Sequence, residues 1–203
     1  MARITVTTAP TEYPVTVAEC ATHCLIDREL TDDEEAWFTT AIATATDAAE
    51  NYTRRAFVER DLKLWLDAGE IPTGDVIELR YPPVISIDAI TMYDDDDDET
   101  VTEVGDYLVD TASTPPRVIL KEHTWAFAMH ESRLRLAVAI DYTAGYGSAE
   151  DVPSEIRLAI MQHVASMFAI RETGIEGGTT SGDISVVPVE ARASLDKYKI
   201  VRL

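Results

Sequence analysis

Residues 138–172 read VAIDYTAGYGSAEDVPSEIRLAIMQHVASMFAIRE. An apolar strand runs into two closely spaced glycines, Gly145 and Gly147, and a helix opens at Pro153. Proline suits the first helical position, where its missing N–H has no partner to lose. Ile156, Ile160, Val164 and Met167 then recur at helical spacing and form one apolar stripe. A strand, a glycine turn and a helix in that order invite a nucleotide reading, and the residues refuse it. A dinucleotide fingerprint needs a third glycine where this chain has Glu150, with Asp151 next. Two carboxylates would stand where a pyrophosphate must sit. A P-loop needs Lys followed by Ser or Thr after its last glycine, and no such pair follows Gly147. The glycines therefore relax the backbone at a corner between a sheet and a long helix.

Working outward, the chain divides into helical ends and a strand-rich middle. Residues 1–14 read as a loose N-terminal arm. A capping box at Thr16 and Glu19 opens a short helix over 16–26, and a second at Thr31 and Glu34 opens a longer one over 31–55. Phe38, Ile42, Ala45, Ala49 and Tyr52 form the inner stripe of that longer helix. From 58 to 143 the period changes to that of strands, with LKLWLD placing Leu62, Leu64 and Leu66 on one face. Pro82-Pro83 splits VIELRYPPVISIDAITMY into two strands. The turns are short and the strands sequential, so antiparallel pairing is expected. The third helix spans 153–172 and ends at Gly174. The fold class is α+β: a helical bundle core with an inserted antiparallel β-sheet region and an extended C-terminal arm. The body covers 15–173, and 174–203 forms a flexible linker and docking arm.

Charge and composition narrow the function. Among 203 residues, 17 are basic and 37 acidic, giving −20. Such a surface repels phosphate and opposes a nucleic-acid grip, while leaving DNA free to slide past. No apolar run is long enough to span a bilayer, and no signal-peptide pattern opens the chain. Cys20 and Cys24 sit four apart on one helix face near His23, but structural zinc wants four ligands and no second pair accompanies them. The run Asp94–Asp98 fails the calcium-loop register, because position six falls on Glu99 or Thr100 and position twelve on Gly105 or Asp106. It reads as a solvated hairpin tip. The histidines, His23, His123, His130 and His163, are scattered, no Gly-x-Ser-x-Gly occurs, and nothing calls for an enzyme, a cofactor or a metal.

The order of these features resembles the head–tail connector, or adaptor, family of long-tailed bacteriophages and gene transfer agents. The resemblance covers about 15–203. It rests on VTVAECATHCLIDRELTDDEEAWFTTAIATATDAAENYTRRAF, on the paired strands LWLD and IELRYPPVISIDAITMYDDDD, on YLVD, PPRVIL and TWA, and most of all on the corner quoted above. The long aspartate run departs from the family pattern. The resemblance implies a structural virion protein, assembled in the host cytoplasm. It would form a homo-oligomeric ring, dodecameric on the portal, between the portal ring and a tail-side stopper or head-completion protein. DNA would pass through its channel without sequence-specific binding, and no membrane is involved.

The residues of the tail suit docking on another protein, and the resemblance makes the portal that partner. GGTTSG decouples it from the body, and Ile184, Val186, Val187, Tyr198, Ile200 and Val201 exceed the needs of a compact core. They are expected to dock on the portal, by strand addition or as apolar plugs. A chain cut after Gly178 is then expected to stay folded and lose the portal. Folding of the tail back onto its own domain is the alternative. Three other functions fit the same composition: an acidic DNA mimic, a metal-dependent hydrolase using the aspartates, and another head or tail completion protein.

Overall fold

The computed structural model describes residues 3–71, 76–121, 132–175 and 187–200. It is a mixed α+β fold with four helices and two antiparallel sheets among these residues. The chain divides into two compact units, Met1–Pro10 with Glu59–Tyr146, and Thr11–Val58 with Gly147–Leu203.

The first unit holds both sheets. Its strands are β1 (Arg3–Thr8), β2 (Arg60–Leu66), β3 (Val76–Glu78), β4 (Val84–Tyr93), β5 (Glu99–Val101), β6 (Tyr107–Asp110), β7 (Arg117–Leu120) and β8 (Val138–Ala144). The larger sheet has the order β1-β2-β8-β4-β5 and the smaller the order β3-β7-β6. Every pairing is antiparallel. Alternation in LKLWLD places Leu62, Leu64 and Leu66 in the core as expected, with Lys63 and Trp65 between them half-buried. β8 lies at the centre of the larger sheet and buries Val138, Ala139, Ile140, Tyr142 and Ala144. The Tyr142 hydroxyl donates to the Arg80 carbonyl at 2.8 Å, and burial pushes its phenol well above the ordinary tyrosine range.

This unit corrects the sequence reading at one point and extends it at another. Residues 1–14 are not a loose arm throughout, because β1 pairs with β2 from Arg3 opposite Trp65 to Val6 opposite Leu62. The run Ile4-Thr5-Val6-Thr7-Thr8 is wholly β-branched, and such side chains favour the pleated state. The strands on either side of Pro82-Pro83 also do more than break. β3 belongs to the smaller sheet and β4 to the larger.

The second unit is helical: α1 (Val17–His23), α2 (Asp32–Thr53), α3 (Ser154–Ile175) and α4 (Val189–Leu195). Both expected capping boxes are present, at Thr16 with Glu19 and at Thr31 with Glu34. Arg28 adds to the second, reaching the Glu34 carboxylate at 2.6 and 2.8 Å. These bonds, led by the one from Arg28, hold the Glu34 carboxyl down to about 2. The α2 stripe buries Phe38, Ile42, Ala45 and Ala49, and α3 faces it with Ile156, Ala159, Ile160, Val164 and Met167. Trp37, Phe38 and Phe168 cluster with ring centroids 5.1 to 5.8 Å apart. Tyr52, expected in the stripe, is only half-buried, and Thr53 takes the buried place beside it. Helix α2 stops at Arg54, whose backbone is left-handed (φ 59°), and buried Glu50 accepts the Phe57 N–H at 2.8 Å. Helix α3 runs through Gly174 to Ile175 instead of ending there. A glycine in a last turn disturbs few hydrogen bonds.

The end of the described chain is fastened to this unit. Helix α4 packs on α3 and buries Ala191 and Leu195. Beyond it, the Ile200 N–H donates to the Thr53 carbonyl at 3.1 Å, and Arg55 Nε donates to the Tyr198 carbonyl at 2.6 Å. The Tyr52 hydroxyl donates to Asp196, and the Tyr198 hydroxyl donates to Glu155 at 2.7 Å. Val187 and Ile200 are themselves buried. These contacts run against the expectation that a chain cut after Gly178 stays folded. Such a chain loses Val187, Ala191, Leu195 and Ile200 from its core and should melt well below the full chain. Leu195→Ala alone should cost about 2–5 kcal/mol in chemical denaturation, the range for a large-to-small change in a core. A loss under about 1 kcal/mol would show that α4 contributes little.

Candidate functional site

The corner is built by Gly145, Gly147 and Pro153. Gly145 has φ 130° and Gly147 φ 120°, a region that side chains disfavour. The Gly145 N–H donates to the Pro83 carbonyl at 2.9 Å, which ties the end of β8 to the start of β4. After Gly147, Ser148 begins a single 3-10 turn over Ala149–Asp151. The Asp151 carboxylate accepts from the Ser148 amide at 3.0 Å and from its hydroxyl at 2.7 Å. The hydroxyl bond, then the amide bond, holds this carboxyl below the ordinary range. Asp151 thus occupies the space a phosphate would need. A Cβ on Gly147 would stand 2.8 Å from Asp151 Oδ2. Pro153 offers its carbonyl to Ile156 and Arg157 and so starts α3.

The acidic run caps its own hairpin. Asp94 Oδ1 accepts the amides of Asp96 at 3.0 Å and Asp98 at 2.9 Å, and Asp97 takes φ 66°. Arg133 binds Asp97 at 2.8 Å and lies 3.9 Å from the Tyr93 ring centroid. One carboxylate is therefore engaged in the turn and another is neutralised by a guanidinium. Asp95, Asp96 and Asp98 face water.

The remaining reactive groups do not converge. Cys20 is buried and its thiol is pushed up to about 12, chiefly by burial, which makes it inert. Cys24 is half-buried, and burial also raises its thiol. His23 is exposed at the end of α1 and His163 is buried in α3, while His123 and His130 lie outside the described residues. Among the described residues, no three of His, Cys, Asp or Glu stand together as a metal set, and no helix is long and apolar enough to cross a membrane.

The expected docking residues fall into two groups. Val187 and Ile200 are buried, and Tyr198 is half-buried and bonded to Glu155. Ile184, Val186 and Val201 lie outside the described residues. A groove between α2 and α3, about 200 Å³ in volume, passes unmarked in the sequence. Ala41, Met167 and Ile170 line it, and the Arg171 guanidinium lies 5.2 Å from the Trp37 ring centroid at one end. Tryptophan and arginine here face each other from helices far apart in sequence, so no local spacing could have announced them.

No protein-family model matches the chain, and no curated protein matches it by sequence. Solved structures do. A chain in the neck of an empty gene transfer agent (GTA) particle, computed with C6 symmetry, superposes with TM-score 0.73 at 22% identity, covering 99% of this chain and 97% of that one. A chain of the virion of a native GTA particle gives TM-score 0.71 at 20% identity, covering 98% and 96%. A chain in the neck of a native GTA particle, computed with C12 symmetry, gives 0.67 at 22%, covering 99% and 97%. The protein thus has, from end to end, the fold of a component of GTA particles.

Two expectations follow from the site geometry. Gly147→Val, which places a β-branched side chain at positive φ against Asp151, should cost roughly 1–3 kcal/mol in thermal or chemical unfolding. An equally stable variant would show that the turn needs no glycine. Calorimetry with calcium should show no saturable micromolar uptake at the hairpin. Uptake that disappears when Asp95, Asp96, Asp97 and Asp98 are changed to Asn would contradict the solvated tip.

Proposed function

We propose that this chain is a structural virion protein of a neck, assembled as a ring between the portal and the tail of a GTA-like or phage-like particle. The observation that carries the reading is the nearly full-length match to chains of GTA necks solved with C6 and C12 symmetry. Coverage above 95% on both sides means that both units, and not a widespread submotif, are shared. The role is non-enzymatic: the ring completes the head, offers the tail its attachment site and lines the path of the DNA. A charge of −20 suits that path, because an acidic wall keeps the polyanion from adhering as it moves. The same charge fits an acidic DNA mimic equally well, and it is the shared fold that favours the neck.

In this reading the tail divides its work. Val187, Tyr198 and Ile200 hold the C-terminal part to the helical unit, and the contact with the portal falls to the stretch containing Ile184 and Val186, with Val201 beyond.

Particles made without this chain should fill with DNA and remain tailless, and adding the purified protein should restore tail joining. Micrographs of complemented particles check this. Tails attached at normal frequency without the chain would sink the proposal. Salt-sensitive binding to a basic DNA-binding protein, with no effect on tails, would favour the mimic.

A further inference from the structure

The larger sheet ends on two edges that no described strand covers, the outer sides of β1 and β5. A bare edge is a row of unpaired N–H and C=O groups, and natural proteins blunt such edges with charges, prolines or bulges. From Arg3 to Val6, β1 has one charge and no bulge; the register shifts only between Val6 and Thr8. All of β1 but Ile4 is exposed, and Val6 is 54% exposed. β1 carries one cation and no acid, in a chain of net charge −20. The opposite edge has the reverse character. β5 is exposed along its length, with Val101 57% exposed, and it starts at the acidic tip where Asp95, Asp96 and Asp98 face solvent beside Glu99.

Both edges belong to one sheet, so one copy can offer β1 where the next offers β5. We propose that β1 of each copy adds to β5 of its neighbour and so forms the side-to-side contact of the ring. This inference rests on the ring reading above. Backbone hydrogen bonds supply the affinity of such strand addition. Arg3 against the acidic rim supplies the choice of partner, and Val6 and Val101 supply apolar area. The contact joins unlike patches, which generates a ring when the rotation closes. Pairing of β1 with a second β1 would instead offer Arg3 no acidic partner, since β1 has no acid, and would stop at a dimer.

Cysteine pairs in the full chain test this on portal-bearing particles. Thr5→Cys is combined in turn with Glu99→Cys, Thr100→Cys and Val101→Cys, and each is oxidised after assembly. With the half-buried Cys24 changed to Ser throughout, at least one pair should give a denaturing-gel ladder of covalent oligomers, and every variant with one introduced cysteine should stop at dimer or below. A second variant, Arg3→Glu with Val6→Glu, changes two exposed side chains. Its circular dichroism should match the wild type, and its concentration for half-assembly should rise roughly tenfold or more, as like charges now meet. A wild-type ring with no ladder from any pair, together with normal assembly of the charge variant, overturns the edge contact and leaves the ring standing. If the charge variant loses its fold, the cysteine pairs decide alone. Efficient dimer from Thr5→Cys by itself, with no ladder, overturns it in favour of β1–β1 pairing. A wild-type chain that stays monomeric on the particle overturns the ring reading and this contact with it.

Discussion

The pairing of β2 with β8 is the constraint on which the rest depends. Arg60 lies opposite Ala144 and Leu66 opposite Val138, so the strand that enters the sheet unit and the strand that leaves it are hydrogen-bonded neighbours. That matters because α2 ends at Thr53 and α3 begins at Ser154, and the two must still meet along the Phe38–Ile42–Ala45 stripe. Joining distant segments costs loop-closure entropy, though the cost grows only slowly with length. A sheet whose first and last long strands pair does that closing by itself. The glycines at 145 and 147 then serve a plain purpose: they let the chain turn out of β8 at backbone angles other residues resist.

Much of this was legible because it is local. Capping boxes are written in four consecutive residues, and Thr16 with Glu19 and Thr31 with Glu34 both formed as read. Strand alternation at Leu62, Leu64 and Leu66 held for the same reason. What stayed hidden depends on partners far along the chain. β1 looked like an arm because a lone strand has no stability until β2 is beside it. The terminal residues looked surplus because their burial site, made by Thr53, Arg55, Glu155 and α3, comes from segments distant in sequence. The Trp37–Arg171 groove was illegible on the same ground. The candidate site was legible mostly by exclusion: Glu150 and Asp151 spoke against phosphate, and Asp151 is now seen bonded to Ser148 in that space.

The reactive groups of the described residues do not converge on one site. The Cys20 thiol is buried and inert, and the aspartates of the hairpin tip brace its turn, pair with Arg133 or face water. The chain carries a net charge of −20, and its larger sheet ends on two edges with Val6 and Val101 exposed. In a neck these have natural uses: acid beside moving DNA, and edges and grooves toward neighbouring proteins. Surface contacts of modest size become firm when repeated around a symmetric ring, because each copy is held from both sides.

Cryo-electron microscopy of portal-bearing, tailless particles incubated with the purified chain tests the central claim most directly. The account predicts a closed ring of copies coaxial with the portal, on the side where the tail attaches. Isolated copies at saturating concentration, or density elsewhere on the particle, would contradict it.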